Sequence, residues 1–280
     1  MPWNLVGELA RAGEGVGALA VDDAHAYLLR DRTLTIVDAQ TLQVVATHAT
    51  AGPANRLALA RDRALITLGD AIEIVDLADR GQPRRVATVP IGPHLDDVQP
   101  AGAVVAITDG ESLQLWELEP ARRIGRVAID LARRCTIAGG LAYVAADYHG
   151  LVIVDLADPA NPQRIGELEG PGDVTKVAVA GPTAYLADYT GGITAVDVRD
   201  PRRPRARAEW DRGMVGDVAA TASHAFAAMG DLVVLDVTGP RPRQVATCVT
   251  RPGDTAWAVA AHAGKVYALG EAGLSVWSAG

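Results

Sequence analysis

The chain has 280 residues, of which 49% are hydrophobic and only 4% aromatic, and its formal net charge is −8. That balance argues against nucleic acid and anionic membrane as partners, since both need a basic footprint, and no apolar run approaches the roughly eighteen residues of a membrane span. Residues 1–8 lack the basic and apolar regions of a signal peptide. Cys135 and Cys248 stand in different repeats and no Asn-x-Ser/Thr sequon occurs, so a cytoplasmic protein with unpaired thiols is expected.

Taken in chain order, one phrase recurs: Leu34-Thr35-Ile36-Val37-Asp38, Ile72-Glu73-Ile74-Val75-Asp76, Leu113-Gln114-Leu115-Trp116-Glu117, Leu151-Val152-Ile153-Val154-Asp155, Ile193-Thr194-Ala195-Val196-Asp197, Leu232-Val233-Val234-Leu235-Asp236 and, degraded, Leu274-Ser275-Val276-Trp277-Ser278. The closing positions are spaced by 38, 41, 38, 42, 39 and 42 residues. Short apolar runs bounded by Asp, Pro and Asn read as strands buried on both faces, and a period near 40 residues means blades of a β-propeller. Within a repeat an inner strand a precedes a strand b, marked by Tyr27, Leu65, Val105, Tyr143, Tyr185, Phe226 and Tyr267. Strand c carries the acid-ended phrase, and an outer strand d follows the turn. Four antiparallel strands make one blade.

The seventh repeat lacks its outer strand, because the chain stops at Gly280. At the other end, Asn4 to Leu9 matches Arg164-Ile165-Gly166-Glu167-Leu168 and precedes the first strand a. Residues 4–9 are therefore expected to complete blade seven and close the ring, removing the exposed sheet edges. The fold expected is all-β: one seven-bladed propeller domain over residues 1–280.

The pattern resembles the LVIVD-repeat β-propeller proteins, named for the residues that stand here at 151–155. The resemblance covers the whole chain and is strongest over 135–200, where Ala142-Tyr143-Val144-Ala145, Leu151 to Asp155 and Asp158-Pro159-Ala160-Asn161-Pro162 stand together. It is weakest in blades three and seven. It implies a prokaryotic, bacterial-type propeller; most members have no assigned activity and many are exported, so no catalytic residues carry over.

Several motifs have plain structural readings. The acid ending strand c caps the following turn, its carboxylate accepting backbone N–H bonds as in an Asx turn. Gly13-Glu14-Gly15-Val16-Gly17-Ala18 fits a dinucleotide fingerprint, but strands follow it where a helix N-terminus would be needed; no cofactor is expected. His25, His224 and His262 share the a–b turns of neighbouring blades and read as surface histidines, and no metal site is expected. The run Arg199, Arg202, Arg203, Arg205 and Arg207 reads as a solvated turn.

The informative set is the residue before the first core position of strand a: Ala18, Arg56, Asp97, Arg134, Lys176, Asp217 and Ala258. Strand a lines the central channel, so these residues ring its upper mouth. The loops between strands b and c share that face and bring Asp147-Tyr148-His149 and Asp188-Tyr189 beside Arg134 and Lys176. Mixed charge next to aromatics furnishes a small polar ligand site. The ligand-binding set expected is Arg56, Asp97, Arg134, Asp147, Tyr148, His149, Lys176, Asp188, Tyr189 and Asp217. The leading function is a non-enzymatic scaffold that binds a protein partner. The alternative is an enzyme or small-ligand binder that holds an anionic molecule at this mouth, with Arg134 and Lys176 on the anion and His149 or an Asp moving a proton.

Overall fold

The structure is a computed structural model and describes residues 2–10, 17–170, 172–249 and 255–280. Among the described residues, 28 strands form seven four-stranded antiparallel sheets. Blade one runs β2 (Gly17–Val21), β3 (His25–Arg30), β4 (Thr33–Asp38), β5 (Val44–Ala49). Blade two follows as β6 (Arg56–Leu59), β7 (Arg63–Thr67), β8 (Ala71–Asp76), β9 (Arg84–Pro90), and blade three as β10 (Asp97–Ala101), β11 (Val104–Thr108), β12 (Ser112–Leu118), β13 (Ala121–Ala128). Blades four to six repeat the plan from β14 (Cys135–Ala138) through β18 (Val174–Ala180) and β22 (Asp217–Ala220) to β25 (Arg243–Cys248). Blade seven is β26 (Ala256–His262), β27 (Lys265–Gly270), β28 (Gly273–Ala279) and, as its outer strand, β1 (Trp3–Ala10). Each inner strand touches the next around the circle, and β26 returns to β2. The ring is closed.

Leu151 to Val154 of the LVIVD phrase are buried because a blade is covered on both faces. Strand period sends alternate residues to opposite sides. Leu151 and Ile153 pack toward blade five beside Ala184 and Leu186, whereas Val152 and Val154 pack toward blade three beside Ala106 and Leu115. An aromatic ring of one blade packs in the same core as a small residue of the next: Tyr27 with Ala64, Tyr143 with Ala184, Tyr185 with Ala225, Phe226 with Val266 and Tyr267 with Ala26. In blade three the marker shifts by one. The ladder sets Ala106, not Val105, opposite Gln99 and Leu115, the place that Tyr143 holds opposite Thr136 and Ile153. Val105 faces blade two instead, in one core with Leu65.

Every outer strand carries a bulge at the same point of its pairing with strand c, and a small residue follows it: Gly7, Ala46, Ala87, Gly125, Gly166, Ala208 and Ala246. At Gly7, Gly125 and Gly166 the reason is close approach by the neighbouring blade's c–d turn. A Cβ on Gly125 would stand 2.1 Å from the Pro159 carbonyl oxygen, and one on Gly166 would stand 2.0 Å from that of Pro201. The match between the chain's start and blade four holds to the residue, since Gly7 pairs with Val276 as Gly166 pairs with Ile153. Leu5 and Val6 are nevertheless exposed. The strand is anchored by its ladder, by Leu9, and by Trp3, which meets His224 and Phe226 edge-on at 5.4 and 5.3 Å.

The turn acids behave as caps. Asp38, Asp76, Asp155, Asp197 and Asp236 each accept a backbone N–H two residues on, at 2.9–3.1 Å. Blade three departs, for Glu117 takes Arg122 across a tight hairpin instead. Of the glycine fingerprint, residues 13–16 lie outside the described residues, and Gly17 and Ala18 begin β2.

Candidate functional site

The channel mouth is built from the first residues of the inner strands and the loops just before them. Arg56 opens β6, Arg134 precedes β14, Asp97 opens β10 and Asp217 opens β22. Two of the acids are structural as well as charged. Asp97 accepts the Cys135 N–H at 3.0 Å and Asp217 the Val259 N–H at 3.0 Å, so each ties its inner strand to the next. The second oxygen of Asp217 reaches across to Arg134 Nη1 at 3.3 Å. Burial, with the Arg134 charge adding to it, lowers the pKa of Arg56 from its ordinary value. Its Nη1 donates to the Asn55 carbonyl at 3.1 Å, its Nε is buried without a partner, and it makes no ion pair among the described residues.

A cavity of about 310 Å³ opens here, lined by Arg56, Asp96, Arg133, Arg134, Asp173, Thr175, Tyr189 and Gly216. Three guanidinium groups and two carboxyls thus face one space, with the Tyr189 ring half-exposed at its rim. Arg133 is held by Asp147, whose Oδ2 accepts Nε at 3.1 Å and Nη2 at 2.7 Å. Asp147 itself is buried, with a positive φ of 52°, and its backbone bridges to Val174. Burial raises the Asp173 pKa, and the neighbouring Asp147 carboxylate adds to the rise; burial likewise raises Asp96, against the pull of Arg133 and Arg56. A second recess of about 500 Å³ shares Asp96 and Arg133 and extends toward Asn55, His94 and Asp109.

Of the ten residues singled out in the sequence, Arg56, Arg134 and Tyr189 line this cavity, and Asp97, Asp147 and Asp217 support it from beneath. Asp188 is buried and caps its own loop, accepting the Thr190 N–H at 2.7 Å. Tyr148 and His149 project into solvent and do not line the cavity, Tyr148 being 69% exposed. Lys176 is half-buried in β18, without an ion pair among the described residues, and it too is absent from the lining. A bulge lies between Val174 and Lys176. Here the lining residues are Asp173 and Thr175, with Thr175 Oγ1 buried and unpartnered. Arg133, Asp96, Asp173 and Thr175 were missed because one position per blade was compared. The adjacent Arg133-Arg134 pair was the available signal.

Among the described residues no three His, Cys, Asp or Glu side chains are placed to share a metal ion. His262 bonds Asp23 at 2.7 Å, while His224 packs on Trp3. Among the described residues no helix is long and apolar enough to cross a membrane.

The LVIVD repeat model matches residues 131–169 and 171–206. No curated protein matches the chain. Among solved structures, the chain is similar to the β-propeller domain of Cps50 (Swd1) from Myceliophteria thermophila, at 15% identity and a TM-score of 0.81 over 100% of both chains. It is also similar to the computationally designed Ika8 protein, at 10% identity and a TM-score of 0.70 over 94% of this chain and 95% of that one. At such identities the likeness is one of fold. The two matched LVIVD repeats fall on the fourth and fifth blades of a seven-bladed β-propeller.

Proposed function

We propose that this propeller is a non-enzymatic binding scaffold whose upper channel mouth grips an acidic group, either a carboxylate of a protein partner or a small anion. The observation that supports this most is Arg56, a guanidinium at the channel mouth that makes no ion pair among the described residues and has two further arginines on the same cavity wall. A partly buried cation without an ion pair is costly, and an incoming oxyanion would relieve it through paired N–H bonds. Arg133 and Arg134 are already steered by Asp147 and Asp217, so they are pre-set, while Tyr189 and the exposed Tyr148 give the rim aromatic contact area. A cytoplasmic site suits the two buried, unpaired cysteines. An enzymatic reading would rest on Asp173, whose raised pKa suits an acid–base role.

The test is capture from a native-host lysate by the wild type and by Arg56→Gln/Arg134→Gln, with mass spectrometry of bound proteins and metabolites. Calorimetric titration with citrate and with inorganic phosphate runs alongside. The variant should lose the captured acid-bearing species while melting within a few degrees of the wild type. An unchanged set of bound species would refute the site.

A further inference from the structure

On the opposite face a second cavity, of about 380 Å³, lies between blades two and three. Its walls are Ala60, Leu65 and Ile74 of blade two and Pro100, Val105 and Trp116 of blade three. It exists because two things present elsewhere in the ring are missing here. First, the strand-b ring is absent: Leu65 stands at the place of Tyr27, Tyr143, Tyr185, Phe226 and Tyr267. Second, the covering turn is absent. In blades one, two, four, five and six the residue after the turn acid is Ala39, Leu77, Leu156, Val198 or Val237, and its N–H bonds to the a–b turn of its own blade. Each then heads a turn over the preceding blade. Arg80 of blade two shows the contact directly, donating to the Tyr27 hydroxyl at 3.3 Å. Blade three instead folds back at once, Leu118 pairing with Ala121.

We infer that this cleft is a binding site for a small, neutral aromatic molecule of the phenol type. The chain itself shows what fits, since four other blades place a tyrosine ring at the equivalent point. The charges on the rim favour a neutral ligand, because Arg63 is paired with Glu119 and Glu117 with Arg122. Trp116 supplies an aromatic wall and is fixed by its Nε1–H bond to Gln114 at 2.9 Å. The volume falls within the range of about 300–1,000 Å³ usual for small-molecule sites. This site does not depend on the arginine-lined mouth.

The probe is p-cresol, the tyrosine side chain as a free molecule, followed by saturation-transfer NMR on the full chain. The wild type should bind it at millimolar concentration or tighter. Leu65→Tyr/Val105→Ala, which rebuilds the ring-on-alanine contact of the other blades, should weaken binding at least tenfold. Ala103→Trp, on the exposed lip of the cleft, should do the same without touching the core, and decides the matter if the double variant does not fold. No transfer to p-cresol from the wild type, or undiminished transfer in either folded variant, overturns the proposal.

Discussion

Gly166→Ala is a sharp test of how the blades lock together. The new methyl would sit 2.0 Å from the Pro201 carbonyl oxygen and 3.3 Å from Pro204 Cδ, both in the proline-bounded turn of the next blade. Backbone held between two prolines gives way less readily than a side chain, so the cost is that of overpacking, about 1–3 kcal/mol. Replacing glycine also restricts the unfolded chain, which returns about 0.4–1 kcal/mol. The net expected loss spans roughly 0–2.6 kcal/mol, centred on about 1.3 kcal/mol, or about 2 °C in melting temperature for a chain this long. Gly52→Ala is the matched control, because nothing stands within 4 Å of the added carbon and its φ is not in the left-handed region. It should be neutral or stabilising by a few tenths of a kcal/mol. Urea unfolding followed by circular dichroism measures both. If Gly166→Ala is no less stable than Gly52→Ala, the blade-to-blade contact is not what selects glycine at the bulge.

Hydrogen bonds from Arg199 depress the Asp197 carboxyl, and those from Thr238 depress Asp236, each to about 2. Their stabilising contribution should be fully present above the ordinary carboxyl range near 3.8 and be lost as pH falls toward 2, read as NMR titration midpoints near 2 for both side chains. Asp96 and Asp173 shift the other way, so lowering pH neutralises them and leaves the arginines of the mouth in excess. Affinity for an oxyanion whose own charge stays constant should therefore rise as pH falls toward the ordinary carboxyl range near 3.8, by calorimetry. Burial raises the Cys135 thiol far above its ordinary value and the Cys248 thiol to about 11. Neither should react with a thiol reagent at pH 7.5 until urea unfolds the chain. Trp3→Ala should cost about 2 kcal/mol, below the range for a fully buried tryptophan because the residue is only half-buried.

The architecture was legible in the residues because its causes are local and repeated. A strand buried on both faces must be apolar throughout, a turn cap must be an acid two residues before the N–H it accepts, and both recur wherever a blade does. Even the closing strand could be read, since Asn4 to Leu9 must satisfy the same ladder and the same close approach as Arg164 to Leu168. The mouth was only half legible. Arg56 and Arg134 were found by aligning the starts of strand a, but side-chain direction depends on register and bulges, which leave few marks in a single sequence. Thr175 and Asp173 line the cavity where Lys176 was expected, and Arg133 is held there by Asp147, fourteen residues away. The cleft between blades two and three needed the tertiary structure altogether. Leu65 and the short hairpin after Glu117 are separate irregularities in the chain, and only the stacking of blades places one against the other.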